Sequence, residues 1–224
     1  MTAISPWLFR LDLPTPLIAG LEAILSPDER ARAAALRHDV DQRRFIARRA
    51  QLRMLLADLI GTRPEAVLFA RGPHGKPYLP SYPDLRFNTS SAGTLGLCVV
   101  ALKTEVGCDM AADEDVPLSI EIARLLFHDR EHRDFAALPE AMRRRAFLEI
   151  WTRKEAYLKA AGIGLSRDLS TFSVFVGKSC VSAIHEGRHD WQFKSLDLSS
   201  GFIAVLATAA GSGSVDVVPP RLLM

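Results

Sequence analysis

WTRKEAYLKAAGIGL, residues 151–165, closes a long helix that opens at Pro139 and stops at Gly162. Proline suits the first helical position and glycine the residue just past the end. At 100° per residue, Phe147, Ile150 and Tyr157 share an apolar face, and Lys154 falls among them. A lysine there asks for an anionic partner, because an unpaired buried charge is very costly. Glu155 and Lys159 lie four apart on one side of the helix. Glutamate four before lysine is the favourable surface ion pair, worth on the order of a few tenths of a kcal/mol.

Working outward, helices are predicted at Pro117–Phe127 and Asp129–Leu138 before this one. Strands follow it at about 171–177, 190–197 and 201–208, and the tail after Gly211 reads as irregular. The first half mirrors that content. Trp7, Phe9, Leu11 and Leu13 alternate as a half-buried strand over 5–13. Ser26-Pro27-Asp28-Glu29 is a helix start with a capping box, and a second helix runs from Asp41 to Ile60, where Gly61 stops it. Residues 66–70 (AVLFA) form a short apolar strand. Leu95–Leu102 and Glu105–Met110 form two strands meeting at a tight turn near Lys103-Thr104. Each half therefore offers one long helix and about three strands. The class is α+β, in two similar lobes packed side by side, residues 1–108 and 109–224.

The chain has 224 residues, 48% apolar and 24% charged, which is ordinary for a globular protein and excludes a disulfide scaffold or a disordered chain. The net charge of +2 argues against a dedicated nucleic-acid binder. Cys98, Cys108 and Cys180 have no metal-ligand spacing and are expected to be reduced. No stretch approaches the ~20 apolar residues of a membrane span, and a secretory signal is not expected, since MTAISPWLFRLDLP has no basic segment followed by an apolar run. The expectation is a cytoplasmic, soluble protein with no membrane partner.

Two further places break local rules. On helix 41–60, Phe45, Leu52, Leu55, Leu56 and Leu59 form a stripe; Arg48 falls inside it, Arg44 at its edge, and Arg49 and Arg53 flank it. The buried cation is either salt-bridged to a core carboxylate or snorkelling, or it grips phosphate as part of an anion site. Gly75-Lys76-Pro77, followed by Phe87-Asn88-Thr89-Ser90-Ser91, is either a hairpin loop with a solvated lysine or a ligand loop with a point charge and hydroxyl donors. It lacks P-loop spacing. Asp109 ends an apolar strand, where a ligand-facing acid is often placed.

The order GKP, FNxS, an apolar strand ending in GxD, then WxxKEAxxK resembles the 4′-phosphopantetheinyl transferases of the surfactin-synthetase-activating type, over about Ser26 to Phe175. The resemblance implies a pseudo-twofold pair of α+β lobes with the active site in the cleft between them. It implies Mg²⁺-dependent transfer of the phosphopantetheine arm of coenzyme A to a serine of an acyl, peptidyl or aryl carrier protein, releasing adenosine 3′,5′-bisphosphate. Asp109 and Glu155 match metal ligands. Lys159 matches the family's helix lysine and would offset charge on the leaving phosphate. Glu155, or a metal-bound water next to it, would accept the serine proton. Arg44, Lys76, Pro77, Ser90 and the position of Ser91 match coenzyme A contacts; Arg48 is added from its place in the stripe, and Lys154 would help hold phosphate or Glu155.

Two departures stand out. Ser91 replaces the histidine of FNxSHS, and Ala111 replaces the second acid of GxDxE, with Asp113 and Glu114 nearby in sequence. They motivate an alternative, a coenzyme A-binding member that has lost turnover. The carrier is expected to be acidic, with Arg143, Arg144 and Arg145 as a docking rim or simply a solvated helix face. The chain is expected to be a monomer.

Overall fold

A computed structural model describes residues 2–112, 120–164, 167–174, 181–182, 191–198, 201–209, 215–217 and 221–222. The elements in order are β1 (Thr2–Arg10), α1 (Thr15–Glu22), α2 (Pro27–Ala34), α3 (Asp39–Ile60), β2 (Ala70–Arg71), β3 (Pro77–Tyr78), β4 (Leu85–Ala92), β5 (Leu95–Leu102) and β6 (Val106–Ala112). The second half contributes α4 (Ile120–Leu126), α5 (Asp129–Ala136), α6 (Glu140–Ala161), β7 (Val181–Ser182), β8 (Trp191–Leu196), β9 (Phe202–Ala209), β10 (Val215–Val217) and β11 (Arg221–Leu222).

The predicted helix ends are where the local chemistry put them. Ser26 and Glu29 form both bonds of a capping box at the start of α2. Gly61 and Gly162 end the two 22-residue helices α3 and α6 in the left-handed conformation, at φ 68° and 67°. The chain is a mixture of helices and mainly antiparallel sheet. β4, β5 and β1 pair antiparallel, and β10 and β11 join β1 in parallel. The second sheet is antiparallel in the order β6-β9-β8-β7, and β2 and β3 make a separate hairpin.

Strand alternation sorts side chains into three cores. Phe9, Phe87 and Cys98 pack on α3 with Leu52 and Leu56. On the opposite face of the same strands, Ile4, Leu97 and Val99 meet Val106, Cys108 and Met110 of β6. The outer face of the second sheet packs on α6 through Tyr157, Trp191 and Val205. The result is helix, sheet, sheet, helix, and it explains why β5 is buried along nearly its whole length. Among the described residues no helix is long and apolar enough to cross a membrane.

Four local expectations are corrected. AVLFA is not a strand: Pro64–Ala66 is a 3-10 turn, Leu68 is 69% exposed, and pairing begins only at Ala70. The β5–β6 turn, by contrast, falls near Lys103-Thr104 as expected, with Lys103 at φ 57°, and it joins strands of different sheets. Thr171–Val174 is not strand, whereas β10 and β11 give the tail regular structure by returning to β1. On α3 the stripe is rotated: Arg53 is 3% exposed and Leu59 45%. The start of the Pro117 helix, residues 175–177, Cys180, Asp113 and Glu114 lie outside the described residues.

Candidate active site

The site begins with a close approach. A Cβ on Gly107 would lie 2.2 Å from the Ala156 carbonyl oxygen and 2.3 Å from the Ala160 nitrogen. Only glycine lets β6 press directly on α6, and that contact sets Asp109 beside the face of α6 that carries Glu155 and Lys159. Lys159 Nζ donates to Asp109 Oδ1 at 2.5 Å and to Ser90 Oγ at 3.2 Å. Ser90 Oγ donates to the same Asp109 oxygen at 2.8 Å. Lys159 is therefore not the surface partner of Glu155; it pairs with an acid 50 positions away.

Glu155 has a buried carboxylate oxygen, Oε1, that finds no partner among the described residues. Burial pushes its carboxyl above the usual range, the charge of Asp109 adds to the rise, and Lys159 partly opposes it. Two carboxylates thus feel each other across one ammonium, and one of their oxygens is idle. An oxygen-only donor pair of this kind fits a hard divalent cation such as Mg²⁺, which commonly takes one or two carboxylates and completes its shell from substrate and water. Among the described residues no group of three or more His, Cys, Asp or Glu could hold a metal, so Ala111, 7% exposed, has no acidic substitute there.

β4 and β6 are neighbouring edges of the two sheets, and FNxS is what joins them. Asn88 Oδ1 accepts from the backbone N–H of Cys108 at 2.9 Å and Ser90 Oγ from that of Met110 at 3.3 Å. Residues two apart on one strand meet N–H groups two apart on the other. Ser90 therefore serves the seam between the sheets as well as Asp109.

Three adjoining hollows run along β4. One of about 240 Å³ is bordered by Lys159, Lys76, Pro77 and Thr89. Pro77 and Thr89 also border one of about 560 Å³, with Phe45, Arg48 and Arg49. Phe45 and Arg48 border a third of about 340 Å³, with Arg44 and Ser91. Arg48 Nη1 donates to Ser91 Oγ at 2.8 Å, and among the described residues no carboxylate pairs with it. Burial and the neighbouring Arg49 and Arg32 lower its proton affinity. Arg44 is held by Asp12 through two bonds of 2.6 and 2.9 Å.

The salt-bridged reading of the arginine helix is realised one turn along. Glu29 accepts from Arg53 Nε at 2.6 Å and also binds Arg49. Sequence reasoning missed Glu29 as that partner, although its capping box had already placed it.

Lys154 is a correction. It is fully buried, and its Nζ donates to Glu131 Oε2 at 2.8 Å, Leu169 O at 2.8 Å and Phe172 O at 2.5 Å. Its three donors are engaged in the core, away from Glu155's acid face. Glu131 carried no readable signal. Lys76 is not solvated either: its ammonium bonds Glu105, Val106 and Ala160. Arg143 bonds the carbonyls of Leu138 and Ala136, and Arg145 pairs with Glu149 on its own helix, as a solvated face does.

The sequence profile of the 4′-phosphopantetheinyl transferase superfamily matches residues 105–207. The chain is 35% identical over 164 residues to the 4′-phosphopantetheinyl transferase HetI of a Nostoc species, covering 72% of this chain and 69% of that one. A 4′-phosphopantetheinyl transferase of Bacillus subtilis is 33% identical over 71% of each chain. Sfp of Bacillus subtilis, also a 4′-phosphopantetheinyl transferase, is 28% identical over 68% of this chain and 66% of its own. Likeness of this extent reaches well beyond the β6–α6 pair into both halves of the sequence: the chain belongs to the 4′-phosphopantetheinyl transferase superfamily, and it is an enzyme of that class.

Proposed function

We propose that the chain transfers 4′-phosphopantetheine from coenzyme A to a serine hydroxyl of an acidic acyl, peptidyl or aryl carrier protein, with Mg²⁺, releasing adenosine 3′,5′-bisphosphate. The observation that carries this reading is the idle buried oxygen of Glu155 beside Asp109 and the Lys159 ammonium. Asp109 and Glu155 would hold the ion, which when bound neutralises charge on the diphosphate. Glu155, whose proton affinity is raised by burial, takes the proton of the attacking serine. The serine oxygen bonds to the phosphorus that carries pantetheine, and the bond from that phosphorus to the bridging oxygen breaks. Lys159 offsets the charge that develops on the leaving phosphate. Arg44, Arg48, Pro77 and Ser91, which border the adjoining hollows, hold the phosphates and nucleotide of coenzyme A.

The two lobes, 1–108 for coenzyme A and 109–224 for the metal and catalytic helix, are read as a pseudo-twofold pair; one 22-residue helix on each sheet supports this. The enzyme acts as a cytoplasmic monomer. Incubation with an apo carrier protein, coenzyme A and Mg²⁺ should add one phosphopantetheine mass to the carrier. Coenzyme A binding without that gain on any acyl or peptidyl carrier would instead establish a member without turnover.

A further inference from the structure

Lys76 stands just before β3, yet its ammonium bonds only to distant parts of the chain. Nζ donates to Glu105 Oε2 at 2.7 Å, to Ala160 O at 2.8 Å and to Val106 O at 3.3 Å. An ammonium has three donors, and all three are engaged. Glu105 is fixed in turn by Arg86 Nε of β4, at 2.8 Å. Val106 opens β6, three residues before Asp109, and Ala160 follows Lys159 directly. The carbonyl of Ala160 belongs to the last turn of α6, where carbonyls lack helical partners and the helix end favours a cation. Gly162 leaves room for the stem: a Cβ there would meet Lys76 Cδ at 3.4 Å. One cation thus joins the start of the strand bearing Asp109 to the end of the helix bearing Glu155 and Lys159.

We infer that Lys76 and Glu105 are positioning residues, a latch that sets Lys159 against Asp109, and that the Lys76 ammonium does not bind substrate. The inference rests on the transferase reading above. A latch acts on the reacting geometry, so its loss lowers kcat; a phosphate contact acts on coenzyme A, so its loss raises KM.

The test uses Lys76→Met, Glu105→Gln and the double variant of the full chain, with transfer kinetics, melting temperature and hydrogen exchange at Gly162 and Ile163, whose N–H groups both bond Leu158 O. Lys76→Met should lower kcat about tenfold, the equivalent of one charge-assisted hydrogen bond, with KM for coenzyme A within about twofold. Glu105→Gln should lower kcat by less, and the double variant should match Lys76→Met alone, because both act through one contact. Exchange at Gly162 and Ile163 should quicken in Lys76→Met. A raised KM with unchanged kcat, a silent Glu105→Gln, or a lowered melting temperature with unchanged kcat each overturns the latch. If the wild-type chain transfers nothing, the transferase reading fails, and the latch stands or falls on the exchange alone: unchanged protection at Gly162 and Ile163 in Lys76→Met refutes it.

Discussion

Among the site residues, Asp109 and Glu155 are the two acids of the proposed metal site. Asp109 is 6% exposed and holds Lys159, while the buried oxygen of Glu155 holds nothing among the described residues. Asp109→Ala and Glu155→Ala should each abolish carrier modification while the circular-dichroism spectrum stays native; full activity in either would remove it from the site. Gly107→Ala tests the approach that assembles them. A methyl 2.2 Å from the Ala156 carbonyl cannot be absorbed by a side-chain rotation, because the obstacle is backbone. β6 and α6 must separate, costing about 1–3 kcal/mol, and transfer should fall at least as far as in Asp109→Ala; retention of activity would mean that Asp109 does not act from β6. Asp109 and Glu155 were legible as a site only through the family resemblance that GxD and KEAxxK carry; spacing alone read Glu155 and Lys159 as a surface ion pair. Lys154 was legible only as a problem. The string shows a cation on an apolar face, but its partner Glu131 lies on another helix, and nothing local points to it.

At the level of elements, α3 is held to α2 by one carboxylate. Glu29 caps its own helix through Ser26 and accepts from Arg53 and Arg49. Glu29→Ala leaves Arg53, 3% exposed, without its acid, and the loss should be about 3–5 kcal/mol. Its pH dependence follows from sign. Burial alone would raise the Glu29 carboxyl, but the bonds from Arg53, the Ser26 N–H and Arg49 outweigh it and hold the group below its ordinary value. A depressed folded value means that the stabilisation is complete above the unfolded value, roughly 4.3, and disappears as pH falls through the folded one. The gap in melting temperature between wild type and Glu29→Ala should be widest at pH 7 and should narrow below about pH 4; a constant gap would mean that packing, not charge, is what was lost. Helix starts and stops were readable because capping is a matter of three or four residues. Which arginine of α3 is buried was not, because the stripe predicted from apolar residues alone was rotated by the small residues Ala47, Ala50 and Ala57, which let Arg53 in beside Val67.

The whole molecule depends on contacts that run farther than any periodicity. The α+β class could be counted from helices and strands, but the β4–β6 seam joins edges of two sheets through Asn88 and Ser90 side chains, a pairing no strand pattern announces. The tail looked irregular because Pro219, Pro220 and small residues dominate it, yet Thr2↔Val215 and Trp7↔Arg221 pair in parallel. The second half of the chain therefore returns to cover the edge of the first sheet. Deleting residues 210–224 should uncover that edge. Three or so net backbone hydrogen bonds amount to roughly 2–3 kcal/mol, a fall in melting temperature of about 5–10 °C for a chain of this size. Arg221 lies 5.7 Å over the Trp7 ring, so Trp7 emission should shift in the deletion and report the loss locally. Among the described residues, β10 and β11 pair with β1 and not with β6 or α6, which carry Asp109, Glu155 and Lys159, so transfer at low temperature should persist. The free β1 edge is also a template for pairing with another chain, and light scattering on warming should rise earlier than in the intact protein. If the melting temperature and Trp7 emission are both unchanged, β10 and β11 do not secure β1, and the first sheet stands on α3 and β5 alone.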